Sequence, residues 1–146
     1  MANTPIDIGS RLELLVDGYL IDRMNGASLM LHSPSPQEVA VVFDRPWEGN
    51  TCAYYTIFRD GNIFRMYYRG SHYDEQTKKA AHREVVCYAE SKDGLRWTKP
   101  ELNIVEYQGT SKNNIVWMGV GSHCGFGVFR DTNPDCNPDH QYKALA

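Results

Sequence analysis

The stretch TCAYYTIFRDGNIFRMYYRG (51–70) decides the fold. Two runs rich in Tyr, Ile, Phe and Thr flank Asp60-Gly61-Asn62. Aromatic and β-branched residues suit a pleated, half-buried surface, and Gly beside Asp or Asn supplies the left-handed backbone of a tight turn. The spacing predicts an antiparallel hairpin over roughly residues 52–70. In its second strand Phe64, Met66 and Tyr68 alternate with Arg65, Tyr67 and Arg69, so one face is apolar and the other amphipathic and cationic.

Reading outward, a polar loop, SHYDEQTKKAAH (71–82), leads to a third β-rich run, REVVCYAES (83–91), and then to a second turn, KDG, followed by LRWTK (95–99). Four strands joined by tight turns make a meander. No stretch carries a convincing helical period over three turns, so the fold class expected is all-β. The chain has 146 residues, a hydrophobic content of 42% and a net charge of −3, which describes an ordinary globular chain and argues against a nucleic-acid partner. No apolar run approaches the ~20 residues of a membrane helix, and the start MANTPIDIGSRLELL lacks a basic n-region and a long apolar h-region. No membrane partner is therefore expected, and as written the chain reads as cytoplasmic.

In the turn between the third and fourth strands, Ser91, Asp93, Gly94 and Trp97 form the pattern S-x-D-G-x-x-W. Asp and Ser oxygens bind turn amides, Gly tolerates positive φ, and Trp covers the adjacent sheet, so the cluster reads as a structural staple. It resembles the aspartate box of sialidases, one residue shorter, and is similar to the turn of five-bladed glycosidase propellers. The segments LELLVDGYLID, FDRPWEGN, FRMYYRG, CYAESKDGLRWTKPEL, KNNIVW, FRDTNPD and YKALA follow in an order that resembles the bacterial glycoside hydrolase family 32/43-like proteins, over about residues 11–146.

The resemblance implies a five-bladed β-propeller whose central funnel carries acidic residues from several blades and acts on glycosidic bonds; proteins of this kind are often exported. On that reading residues 1–50 are an N-terminal β segment, 51–100 a four-stranded blade, and 112–146 the start of the next blade, from NNIVWMG, CGFGVFRD and HQYKALA. About one and a half blades result, an incomplete propeller, because closure takes typically 4–8 blades. Either the chain is a fragment or copies cooperate, and a homo-oligomer is the expected partner state.

Glycosidases place two carboxyl groups across the scissile bond, about 5–5.5 Å apart for retention and about 6.5–9.5 Å for inversion. Asp131 in VFRDTNP is similar to the Arg-Asp-Pro motif of families 32 and 43, with the proline displaced to Pro134. Glu48 in PWEGN and Asp44 just before it stand where such propellers carry their first-blade acid. These three are the catalytic candidates, each with an ordinary alternative as a turn or surface carboxylate. The third, acid/base carboxylate has no counterpart here, since the family draws it from a later blade. Arg69, Tyr68, Trp47, His72 and Arg130 are candidates for lining a sugar site, although large aromatics are also routine sheet-packing residues.

Asp131, Asn133 and Asp135 open an alternating run, DTNPDCNPD, like the first ligands of a calcium loop. Cys136 stands where such a loop has Gly and Tyr142 where it has its bidentate Glu, so no cofactor is expected and a plain polar loop is the simpler reading. Cys52, Cys87, Cys124 and Cys136 form no C-x-x-C pair, and His123 and His140 lack spaced partners, so neither zinc nor redox chemistry is indicated. No G-x-S-x-G elbow is present, which removes serine hydrolase chemistry. Two classes remain: a carbohydrate-related module that is not catalytic as an isolated chain, and a fragment or subunit of an active glycoside hydrolase.

Overall fold

The computed structural model describes residues 4–122 and 125–146. It is all-β, built from antiparallel sheets, none of them closed. The chain divides into two compact units, Met1–Gln37 and Glu38–Ala146. The first has no strand among its described residues and is held by local turns: the Asp7 and Asp17 carboxylates accept from the backbone N–H groups of Gly9 and Tyr19.

The second unit holds the sheets. Strand β1 (Ala53–Asp60) turns through Gly61 and Asn62 into β2 (Ile63–Gly70), with Asp60 paired to Ile63 and Gly61 at φ +61°. A two-stranded ribbon, β3 (Tyr73–Asp74) and β4 (Lys79–Ala80), fills the polar loop. Then β5 (Val85–Ser91) pairs with β2, and the short β6 (Trp97–Thr98) pairs with the end of β5, giving the order β1-β2-β5-β6. The hairpin and the meander are therefore as their alternation and turn chemistry prescribe. A register shift between Ala53 and Thr56, with Tyr54 at φ +57°, marks a bulge near the start of β1.

Two features stand beside the expected division of the chain. First, among the described residues no strand precedes Ala53. The segment EVAVVF alternates like a strand, but Val41 and Phe43 instead pack their side chains against the core. Second, β7 (Ile115–Trp117), expected to begin another blade, joins the first sheet by pairing Val86 and Cys87 of β5. The polar end of β5 takes β6 and its apolar end takes β7. From the stretch expected to begin another blade, β8 (Gly127–Arg130) and β9 (Tyr142–Leu145) form a separate hairpin, joined by a loop with one 3₁₀ turn, Pro138–His140.

The core lies on one face of the five-stranded sheet. Met66 and Tyr68 of β2, Val85, Cys87 and Ala89 of β5, Tyr107 and Ile115 are buried, with Trp47, Trp97, Val105 and Met118 packed against them. Continuous burial of Val85–Ala89 shows that β5, the central strand, is covered on both faces. No helix among the described residues is long and apolar enough to cross a membrane.

Candidate functional site

The loop FDRPWEGN lies over the Gly70 end of β2. It can do so because Gly70 has no side chain: a Cβ there would come 2.4 Å from the Trp47 carbonyl oxygen. The close approach buries Glu48, whose side chain is 0% exposed. Its Oε1 accepts from the Tyr68 hydroxyl at 2.5 Å and from Lys99 Nζ at 3.1 Å, while Oε2 accepts from the Arg45 backbone N–H at 2.9 Å and from Lys99 Nζ at 2.8 Å. The Glu48 carbonyl meets His82 Nε2 at 3.1 Å.

Lys99 is the cation of this cluster and also donates to Asp44 Oδ1 at 3.0 Å and to the Val42 carbonyl at 2.6 Å. Its hydrogen bond and charge hold the Asp44 carboxyl below the usual carboxylate range. Both carboxylates lie within hydrogen-bonding distance of one Nζ, so their nearest oxygens are under about 6 Å apart, which is shorter than the ~6.5–9.5 Å of an inverting pair.

On the far side, the Tyr68 hydroxyl accepts from Asn114 Nδ2 at 2.9 Å, and Asn114 Oδ1 accepts from the Trp47 indole N–H at 2.7 Å. Burial pushes the Tyr68 phenol far up, with the nearby Cys87 thiol and the Glu48 hydrogen bond adding to it. The result is a chain from Trp47 through Asn114, Tyr68 and Glu48 to Lys99 and Asp44, with every Glu48 oxygen occupied. Such networks hold one arrangement firmly when each member is satisfied. Lys99 and Asn114 had not been singled out in the sequence. The signal for Asn114 is a polar pair, Asn113-Asn114, directly before an apolar strand; Lys99 carried none.

The other candidates sit elsewhere. Arg69 points from the opposite face of β2 to Tyr68: its guanidinium donates to the Thr51 carbonyl at 3.0 Å and lies 4.7 Å from the Tyr54 ring centroid. His72 accepts from the Asn50 backbone N–H at 3.4 Å. Arg130 and Asp131 belong to the β8–β9 hairpin. Arg130 reaches Asp60 at 3.3 Å and the Gln141 side-chain oxygen at 3.1 Å. Asp131 pairs with Lys143 at 2.5 Å, and that contact holds its carboxyl below the ordinary range.

Asp60 ends β1 beside the turn, paired with Ile63 at the start of β2, whereas Glu48 is bonded to Tyr68; Ile63 and Tyr68 are about 17 Å apart along β2 at ~3.4 Å per residue. Asp131 therefore does not face Glu48 and Asp44 across one pocket. Around it, the oxygens of the suggested calcium run are used within the loop: Asp131, Asn133 and Asn137 accept from the backbone N–H groups of Asn133, Asp135 and Asp139. Among the described residues no group of three or more His, Cys, Asp or Glu side chains is placed to hold a metal ion. Among the described residues Cys52, Cys87 and Cys136 are free thiols, and His123 and Cys124 lie outside the described residues.

The staple turn is a closed hydrogen-bond unit. Ser91 Oγ accepts from the Asp93 and Gly94 backbone N–H groups at 3.2 and 2.9 Å, and Asp93 Oδ1 accepts from those of Leu95 and Arg96 at 2.9 and 2.7 Å. Gly94 takes φ +77°, and its carbonyl accepts from the Trp97 indole at 3.0 Å. The backbone donors hold the Asp93 carboxyl far below the ordinary carboxylate value. Comparison with family models, curated proteins and solved structures returned no match.

Proposed function

We propose that this chain is a glycosidase-like β-propeller module that binds carbohydrate and does not hydrolyse it by itself. The observation that carries the reading is the Ser91–Trp97 turn closing a four-stranded antiparallel meander, the local arrangement that the resemblance to glycosidase propellers rests on. The non-catalytic half is supported by Glu48, whose oxygens are all engaged inside the protein, and by the separation of Asp131 from it. Equilibrium binding to a glycan panel, with aryl glycosides assayed in parallel, tests both halves. Binding without turnover is expected, and turnover that Asp131→Asn abolishes would reverse the assignment.

A second reading, a subunit of an active glycoside hydrolase, is favoured by one observation: Asp44 and Glu48 meet at one ammonium, which brings two carboxylates to the same place, as that chemistry requires. It requires Lys99 to leave both carboxylates. Turnover lost on Asp44→Asn but not on Asp131→Asn would select it.

A further inference from the structure

A cleft of about 280 Å³ opens between the outer face of β2 and β7 and the β8–β9 hairpin, away from the Glu48 network. Tyr67, Trp117, Val128, Tyr142 and Lys143 are among its lining residues. Trp117 is 44% exposed, yet its indole is fixed: the N–H donates to the Val120 carbonyl at 3.0 Å, and Gly119 approaches so closely that a Cβ would come 2.6 Å from the ring. Tyr142 is 55% exposed and is held through its hydroxyl by Asp60 at 2.9 Å. Tyr67 is fixed by a parallel stack on Phe58, with ring centroids 6.1 Å apart and planes inclined by 6°.

Aromatic surfaces immobilised before any ligand arrives lose little freedom on binding, which is the condition for a preorganised site. From Lys143, which lines the cleft, the polar groups run on through Asp131; Arg130, hydrogen-bonded to Gln141, is tied with Tyr142 to Asp60. A pyranose matches this combination, since one face presents C–H groups that stack on aromatic rings and its edge presents hydroxyls that pair with charged and amide groups. The volume lies just below the ~300–1,000 Å³ of ordinary ligand pockets and suits one ring rather than several.

We infer that this cleft is the carbohydrate-binding site, taking one sugar ring of a polysaccharide against Trp117, with Tyr142 and Tyr67 as its other walls. The inference rests on the carbohydrate-binding reading proposed above and gives it a location. Arg130 and Asp131 then act as positioning residues at the rim, rather than as partners of Glu48.

The test is affinity electrophoresis of the whole chain in xylan, arabinan, inulin and mixed-linkage β-glucan, with circular dichroism confirming each variant is folded. Retardation of the wild type by at least one polymer is expected. Trp117→Ala should weaken the apparent Kd by roughly tenfold or more, the scale of an aromatic anchor, with partial recovery in Trp117→Phe. Tyr142→Ala supplies an independent arm should Trp117→Ala fail to fold, and Tyr19→Ala, far along the sequence in the first unit, should leave retardation unchanged. Retardation that persists in the Trp117 and Tyr142 variants overturns the cleft while leaving the carbohydrate reading standing. No retardation of wild type by any polymer overturns both. Self-association that Trp117→Ala abolishes, without polymer binding, makes the cleft a contact between copies and overturns it as a sugar site.

Discussion

A single ammonium, Lys99 Nζ, binds both carboxylate oxygens of Glu48, at 2.8 and 3.1 Å, although 51 residues separate them in the chain. Lys99 is 10% exposed and Glu48 not at all, so each is the other's main compensation for lost water. Removing one partner strands a buried charge, whereas replacing both with apolar groups of similar volume does not. Lys99→Met should cost about 3–5 kcal/mol in urea denaturation, and adding Glu48→Leu should recover most of that loss. A Lys99→Met cost below about 1 kcal/mol would place this pair with ordinary surface bridges.

The loop that carries Glu48 depends on the bare backbone at position 70. Gly70→Ala puts a methyl group 2.4 Å from the Trp47 carbonyl oxygen, and neither backbone can yield without breaking the Trp47–Asn114 hydrogen bond or the β2–β5 ladder. A loss of about 1–3 kcal/mol is expected, as for overpacking in cores, with a shift in tryptophan emission. Unchanged stability would mean the loop does not seat there.

What was legible in the sequence was local. The β1–β2 hairpin and the meander followed from period-two alternation and turn residues within a few positions of each other. The turn at Ser91–Trp97 was equally readable, because its bonds span only two or three residues. What was not legible depended on distant partners. Glu48 reads as a candidate catalytic acid or a turn carboxylate, and nothing near it in sequence shows that Lys99, Tyr68 and the Gly70 gap come together around it. Val41 and Phe43 read as strand residues, yet a strand needs a partner edge, and their side chains found the core instead. Trp117 read as part of another blade because three residues cannot announce which strand they will pair.

Trp97 lies half-buried at the edge of the core, its indole bonded to the turn it closes. Trp97→Ala should therefore cost about 2–4 kcal/mol, somewhat under the ~3–5 of a fully buried tryptophan. Thermal denaturation with loss of near-ultraviolet ellipticity is the readout; a cost within ~0.5 kcal/mol, the range of surface changes, would mean the indole packs on nothing.

The same turn predicts an acid response. The Asp93 carboxyl is lowered in the folded state from an ordinary value of 3.8, chiefly by the Arg96 and Leu95 backbone donors. The folded protein then binds fewer protons than the unfolded chain, so this contribution to stability is complete above pH 3.8 and is lost as pH falls below it. Asp44, Asp60 and Asp131 are lowered too and act in the same direction. Across a melting-temperature titration, Asp93→Asn should flatten the acid limb without altering the neutral plateau's shape. A limb as steep as wild type would remove Asp93 from the response.

Among the described residues strand β9 pairs on one side only, with β8, and all four of its residues are exposed, including Tyr142 and Leu145. An open edge with apolar side chains is a template for a second strand. Two copies of β9 can meet antiparallel about a two-fold axis at Ala144, which sets Lys143 opposite Leu145 of the other copy and avoids the lysine–lysine contact of a register centred on Lys143. A weak dimer at micromolar to millimolar concentration is the expected outcome of sedimentation analysis. Leu145→Lys should abolish it by placing like charges opposite each other while leaving the β8–β9 ladder intact. A wild-type chain that stays monomeric across that range, or a dimer indifferent to Leu145→Lys, rules this edge out as the contact.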